Sequence, residues 1–329
     1  MTVVRWGIVG CGDVTEVKSG PGFQKADGSE LVAVMRRNRV KAEDYARRHG
    51  VSRVHTTADA LIDDPGVDAV YIATPPSSHR ALALRVAAAG KPCLVEKPMA
   101  RSHSECVEMI DAFQQRGVPL WVAYYRRALL RFLKVRELLR EGAIGRVTAV
   151  HLDVSDVLQP ATALGWRVDP NVAGAGLFFD LASHCFDLVE FLAGRIVAAA
   201  GVALNTGALY PAEDVTAAVF EIEGGIAGTG IWNFHADRKA DSLRLTGSTG
   251  VIDTPVFADR DVVLTRSGRE DVFAVRNPPH VHQPLIQTIV DELRGLGRCE
   301  STGDSGARAS WVLDQCVKGA ARKGAFGSF

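Results

Sequence analysis

The chain has 329 residues, is 47% hydrophobic and 23% charged, and carries 38 Lys and Arg against 38 Asp and Glu. That length exceeds one ordinary core and makes two domains the expectation. A formal net charge of zero supplies no one-signed field for nucleic acid or an anionic membrane, so the expected partner is a small molecule.

The first third alternates strands and helices. An apolar run at residues 3–9 ends in glycines, and a second, at 31–35, leads into a charged, Ala-rich helix over 40–49. A third, at 69–73, stops at Thr74-Pro75-Pro76. A helix over 78–89 ends at Gly90, a strand at 92–95 stops at Glu96-Lys97-Pro98, and a helix over 102–116 precedes a strand at 120–123. Continuous apolar strands separated by helices predict a parallel sheet covered on both faces. The pattern then changes. A helix over 129–140 is followed by strand-like stretches at 146–154, 196–203, 215–222, 226–234, 243–246 and 262–265, joined by short Gly- or Asp-containing turns. These predict a mainly antiparallel sheet, interrupted by a helix over 176–192 and closed by helices over 284–294 and 305–318. The fold class is therefore α/β, with one domain over 1–123 built on a parallel sheet and a second over 124–329 built on a mainly antiparallel sheet. The six cysteines form no CxxC pair or zinc spacing, and the start of the chain carries no signal-peptide pattern, so reduced thiols and a cytoplasmic protein are expected. No apolar run reaches the ~20 residues of a membrane helix.

Gly10-Cys11-Gly12 lies at the first strand-to-helix turn. Glycine there permits a tight turn and lets the backbone approach a pyrophosphate, while the N–H groups of the helix start, at Asp13 and Val14, face the phosphate. Thr15 stands at the third glycine position of the usual fingerprint. The second strand ends in Val34-Met35-Arg36-Arg37-Asn38, with no carboxylate for a ribose 2′-hydroxyl. Arg36 and Arg37 suit a 2′-phosphate, since guanidinium grips phosphate with two parallel bonds. The cofactor expected is NADP in preference to NAD. Thr74 and Pro75 end the third strand on the cofactor side, and His79, at the next helix entry, is expected beside the cofactor or as a cap or packing residue of that helix.

Two features suggest chemistry. Lys97 is a cation placed where a buried strand ends, and Pro98 restricts its backbone; the Lys97–Pro98 bond is a candidate for cis. In the helix after Gly176, Asp180, His184 and Asp187 recur at i, i+4 and i+7 on one face, while the rest of the helix is apolar. That stripe fits an exposed face, a core histidine satisfied by Asp180, a metal pair or a catalytic pair. No further ligands are grouped nearby, so no metal is expected; His280 and His282 read as a helix-entry feature.

Together the Glu96-Lys97-Pro98 tripeptide, the glycine turn and Thr74-Pro75-Pro76-Ser77-Ser78-His79 resemble the glucose–fructose oxidoreductase / inositol dehydrogenase / rhizopine-catabolism (Gfo/Idh/MocA) family. The resemblance continues through Tyr124-Tyr125-Arg126-Arg127, through Gly174, Gly176, Asp180, His184 and Asp187, and through His282-Gln283-Pro284-Leu285 and Ser301-Thr302-Gly303-Asp304-Ser305. The chain departs from the family in reading Gly174-Ala175-Gly176 in place of three glycines, and Ala182 where glycine is common. The resemblance implies a Rossmann domain followed by an α/β domain on an open, mainly antiparallel sheet that serves as the oligomer interface, giving a homodimer or homotetramer. It implies that Lys97, Asp180 and His184 are catalytic, that Glu96 braces the turn near the cofactor, and that Tyr125 and Arg126 line the substrate pocket. Trp166 and Arg167, in a loop before the catalytic helix, are expected to close over substrate. The expected activity is NADP(H)-dependent hydride transfer to or from a CH–OH or C=O group of a sugar, polyol or similar small molecule. The alternatives are a non-catalytic sensor, and a same-fold enzyme using nicotinamide as a redox relay for hydrolysis or elimination.

Overall fold

The computed structural model describes residues 2–318, which divide into two compact units. The first takes the chain up to Leu129 together with Asn277–Ala307; the second takes Leu130–Arg276 and the residues from Arg308 onward.

The first unit is built on strands β1 (Val4–Val9), β2 (Ser29–Met35), β3 (Arg53–His55), β4 (Ala69–Ile72), β5 (Cys93–Val95) and β6 (Leu120–Val122). Their spatial order is β3-β2-β1-β4-β5-β6, and every pairing is parallel. Strands β4, β5 and β6 are short and wholly buried, which is why they read as unbroken apolar runs. Helices α1 (Asp13–Val17), α2 (Gly20–Lys25), α3 (Arg39–His49), α4 (Ala58–Ile62), α5 (His79–Ala88) and α6 (His103–Arg116) connect them. Local chemistry sets the helix ends. Asn38 caps α3 by accepting from the Lys41 N–H at 3.0 Å, and Gly50 and Gly117 end α3 and α6 in the left-handed conformation.

The second unit carries α7 (Leu130–Arg140), β7 (Val147–Val157), α8 (Ala161–Leu164), α9 (Pro170–Ala173), α10 (Leu177–Ala193) and then β8 (Ile196–Leu204), β9 (Val215–Ile222), β10 (Ile226–Ala236), β11 (Ala240–Gly247), β12 (Val251–Thr254), β13 (Val262–Arg266) and β14 (Arg269–Phe273). The strands form one eight-stranded sheet, ordered β14-β13-β12-β11-β7-β10-β9-β8. Neighbours are antiparallel except β7 and β10, which run parallel. One face is the core: Phe178 of α10 meets Trp232 of β10 at 5.0 Å, and Phe186 meets Phe220 of β9 at 5.7 Å, both edge to face. The opposite face is partly apolar, and among the described residues Val202, Leu204, Val219 and Ile231 are exposed on it.

Chain contacts correct the expected single cut after residue 123. Residues 124–129 stay with the first unit, and the chain comes back to it from Asn277. In the returning segment, α11 (Gln283–Leu293) buries Leu285, Ile286, Ile289 and Val290 in the same core as Trp6, Phe23 and Tyr71. Val122 and Ser301 exchange hydrogen bonds: the Val122 N–H donates to the Ser301 carbonyl at 3.1 Å, and the Ser301 hydroxyl to the Val122 carbonyl at 2.7 Å. Helix α12 (Gly303–Lys318) begins in the first unit and ends in the second.

Candidate active site

In the first unit, the residues singled out by sequence gather at the carboxyl ends of the parallel strands, where open α/β sheets take their ligands. Gly10 follows β1 with φ +94°, a left-handed conformation that favours glycine. A Cβ there would stand 2.6 Å from Thr74 Cγ2, so the turn after β4 packs directly on the glycine turn. Thr15 replaces the third glycine without loosening this turn: its hydroxyl accepts from the Gly12 N–H at 3.0 Å and donates to the Gly12 carbonyl at 2.7 Å. A Cβ on Gly12 would meet nothing nearer than the Gly10 carbonyl oxygen at 3.8 Å, which leaves this stretch of backbone open to a ligand. Asp13 and Val14 open α1 beside it. A dinucleotide pyrophosphate fits that cradle. After β2, Arg36 donates to the Cys11 carbonyl at 3.2 Å and so stands against the same turn, while Arg37 is exposed.

Thr74 and Pro75 end β4, and their turn is tied by the Ser78 hydroxyl, which contacts Thr74 Oγ1 at 2.7 Å and the Pro75 carbonyl at 2.9 Å. His79, expected on the cofactor side or packed at the entry of the next helix, packs at the start of α5. The ring is fully buried, with Nε2 at 2.7 Å from the Thr74 carbonyl and Nδ1 at 3.1 Å from that of Pro98. Both ring edges face backbone, and burial pushes the imidazole pKa down. His79 is a bracket that ties the turn after β4 to the turn after β5.

The turn after β5 carries Glu96 and Lys97, and the Lys97–Pro98 bond is cis. Glu96 is buried; its Oε2 accepts from the Lys97 N–H at 3.2 Å and its Oε1 from the Tyr71 hydroxyl. After β6, Tyr125 and Arg126 occupy a 3₁₀ turn of this unit. The Tyr125 ring stacks on His282 at 4.4 Å, and the Arg126 guanidinium lies 4.8 Å from the centre of the Tyr125 ring.

In the second unit, α10 carries Asp180, His184 and Asp187. The polar stripe is largely inside: His184 and Asp187 are buried, and Asp180 is half-buried. Asp180 pairs with Arg167 at 3.3 Å, and the Arg167 guanidinium lies 4.8 Å from the centre of the Trp166 ring. The loop with Trp166 and Arg167 is thus fastened to the helix it precedes, over a small core of Val168, Tyr210 and Ala212. The sequence reading missed Glu213. Its Oε1 accepts from the Gly176 N–H at 2.7 Å, directly before α10, and burial pushes its pKa up to about 7. A Cβ on Gly176 would come within 2.8 Å of Ala212 Cβ and the Glu213 carbonyl, so only glycine lets this loop close on the helix start. Asp214 holds the loop by accepting from the N–H groups of Thr206 and Gly207 at 2.7 and 2.6 Å.

A glycine turn after β1, a parallel six-stranded sheet and a cation after β5 define a dinucleotide-binding α/β protein. Comparison with known proteins agrees. Residues 4–124 match an oxidoreductase family with an NAD-binding Rossmann fold, and residues 132–253 match the Gfo/Idh/MocA C-terminal domain. Oxidoreductase P35 of Formosa agariphila is 38% identical over 94% of this chain and 97% of its own length. The 1,5-anhydro-D-fructose reductase of Ensifer adhaerens is 27% identical over 94% of this chain and 93% of its own. A solved levoglucosan dehydrogenase, in complex with NADH and levoglucosan, shares the fold with a TM-score of 0.84, at 22% identity over 97% of each chain. The protein belongs to the Gfo/Idh/MocA family and is an oxidoreductase.

Proposed function

We propose that this oxidoreductase uses NADP(H) and transfers hydride between nicotinamide and a CH–OH or C=O carbon of a sugar or polyol, with Lys97, Asp180 and His184 as its catalytic groups. The carrying observation is the placement of Lys97 after β5 on the same strand-end side as the Gly10–Gly12 turn, its backbone held by the buried Glu96. The cofactor choice rests on the end of β2: Arg36 and Arg37 stand where an NAD site carries a carboxylate, and Asn38 is committed to capping α3. The sugar class is supported by the relatives named for anhydrofructose and levoglucosan.

The bound nicotinamide supplies the hydride donor or acceptor. The protein manages the proton and the oxygen charge. In the oxidative direction His184 takes the hydroxyl proton as hydride leaves the carbon, a task suited to an imidazole. The Lys97 ammonium stabilises the alkoxide that develops on the same oxygen, or polarises the carbonyl in reduction. Asp180 offsets the imidazolium charge and is steadied by Arg167. Tyr125, Arg126, Trp166 and Arg167 contact the substrate. The partly apolar face of the eight-stranded sheet, with Val219 and Ile231 exposed, meets a second copy in a homodimer or homotetramer.

The test is nicotinamide absorbance with purified protein, NADPH or NADH, and a panel of keto sugars, anhydro sugars and polyols. Turnover faster with NADPH, and lost in Lys97→Ala, is the expected result. Equal rates with NADH would overturn the cofactor choice. Unimpaired turnover by Lys97→Ala would overturn the catalytic assignment.

A further inference from the structure

Behind Lys97 lies a buried polar cluster whose central residue, Tyr71, no sequence motif singled out. Tyr71 sits inside β4 with its hydroxyl fully enclosed; it donates to Glu96 Oε1 and lies 3.2 Å from Ser19 Oγ. The other oxygen of the same carboxyl accepts from the Lys97 N–H. His282, at the start of α11, is 1% exposed and brings Nδ1 to 3.7 Å from Glu96 Oε1. Burying a carboxyl is costly unless its oxygens are answered by donors or a cation. The fold has answered this one on both oxygens and left it beside the lysine.

We infer that Tyr71 and Glu96 act as a positioning pair for Lys97, the tyrosine holding the carboxylate and the carboxylate holding both the backbone and the charge of the lysine. The inference rests on the reading that Lys97 acts on substrate oxygen. The surrounding groups leave few other assignments. Ser19 is neutral. Burial pushes the Tyr71 hydroxyl far up, so it stays a donor. Burial, with the charges of Lys18, Lys97 and Arg126, pushes His282 down to about 3, so its ring is neutral and is no counter-charge to Glu96. Glu96 faces Tyr71 from β4, the charge of Lys18 from the turn between α1 and α2, His282 from the start of α11, and Lys97 itself, with Ser19 behind Tyr71. Burial raises its carboxyl, while the Tyr71 hydroxyl and the Lys97 charge oppose that rise. Without the tyrosine donor the carboxyl holds its proton to higher pH, and the negative charge beneath Lys97 is lost over that range.

Two readouts on the full chain separate this inference from the reading it rests on. The first is the pH dependence of kcat/KM in Tyr71→Phe and Glu96→Gln. Tyr71→Phe is expected to lower kcat about 10- to 100-fold, the worth of one hydrogen bond to a charged group, to change cofactor KM little, and to move the acidic limb to higher pH. Glu96→Gln is expected to lose the Glu96 contribution to that limb. The second needs no turnover: lysines are reductively ¹³C-methylated, and the Lys97 signal, identified by its absence in Lys97→Ala, is followed by NMR. It is expected to move in both variants. Ser19→Ala, which removes the weaker partner of Tyr71, should move it less and in the same direction, and serves if Tyr71→Phe does not fold. A Lys97 signal unmoved in every folded variant overturns the inference whether or not the enzyme turns over. Inactivity of the wild type on every substrate counts against the proposed reaction, while the signal still decides the inference.

Discussion

Gly10 and Gly12 separate the structural from the ligand-binding duties of the nucleotide turn, and alanine at each tests that separation. At Gly10 the left-handed φ of +94° alone costs about 1–2 kcal/mol for a side chain. The new Cβ would also stand 3.1 Å from the Thr74 nitrogen and 3.2 Å from the Ala73 carbonyl carbon, backbone atoms that cannot swing away. Overpacking of that kind adds about 1–3 kcal/mol. Gly10→Ala should therefore lower the melting temperature by on the order of 10 °C. At Gly12, φ is −143° and the nearest atom to a Cβ is at 3.8 Å. Alanine is compatible there and should leave stability equal to the wild type or raise it by about 0.4–1 kcal/mol through the unfolded chain. Its methyl group, however, occupies the side from which a pyrophosphate approaches, and a clash of about 1–3 kcal/mol weakens binding roughly 5- to 150-fold. The assay is thermal melting of both variants, with titration of NADPH followed by its fluorescence. A Gly12→Ala protein that melts normally and binds NADPH as the wild type does would refute the placement of the cofactor.

Replacing Lys97 by Ala should cut kcat by about 10²–10³, and His184 by Ala by about 10²–10⁴, with NADPH binding retained in each; stopped-flow absorbance and fluorescence titration check both. Arg36→Ala/Arg37→Ala should weaken NADPH about 10- to 100-fold and leave NADH unchanged, measured as the ratio of the two dissociation constants. Glu213, at about 7 in the folded protein against an ordinary 4.5, keeps a proton that the unfolded chain has released. Its contribution to stability is complete below about pH 4.5 and is lost as pH rises to about 7. Relative to Glu213→Gln, the wild type should thus be more stable at pH 5 than at pH 8, read by urea melts at both. Val219→Asp, on the partly apolar sheet face, should yield monomers in light scattering with unchanged far-ultraviolet circular dichroism.

The parallel sheet was legible because β4, β5 and β6 are buried on both faces and leave no polar residue to interrupt the run. The antiparallel sheet was legible from alternation, as in β9, where Thr216, Ala218, Phe220 and Ile222 point inward and the residues between them outward. Elements such as β3 and α4, three and five residues long, are too short to carry a period. The glycine turn, Lys97 and the Asp180–His184 spacing could be read because local chemistry fixes them. Their supports could not. Tyr71 meets Glu96 across 25 residues, Gly176 meets Glu213 across 37, and His282 reaches Glu96 from the far end of the chain. A polar stripe on α10 followed from spacing, but spacing cannot tell a wet face from the buried one that the structure has. His79 carried two readings for a related reason: a histidine at a helix entry reads alike whether its ring faces a ligand or two backbone carbonyls.

The return of Asn277–Ala307 to the first unit has a bearing on how the protein is made. Leu285, Ile286, Ile289 and Val290 belong to the core on which the nucleotide turn rests, yet they leave the ribosome after all eight strands of the other sheet. The first 129 residues emerge with the floor of their own core missing and must wait, or be held by chaperones, through the synthesis of the 147 residues from Leu130 to Arg276. Cofactor can therefore settle only on a chain whose synthesis has passed Asn277–Ala307. A product truncated before that segment should neither sequester nicotinamide nucleotide nor survive proteolysis, so nucleotide occupancy doubles as a check that Asn277–Ala307 has been delivered.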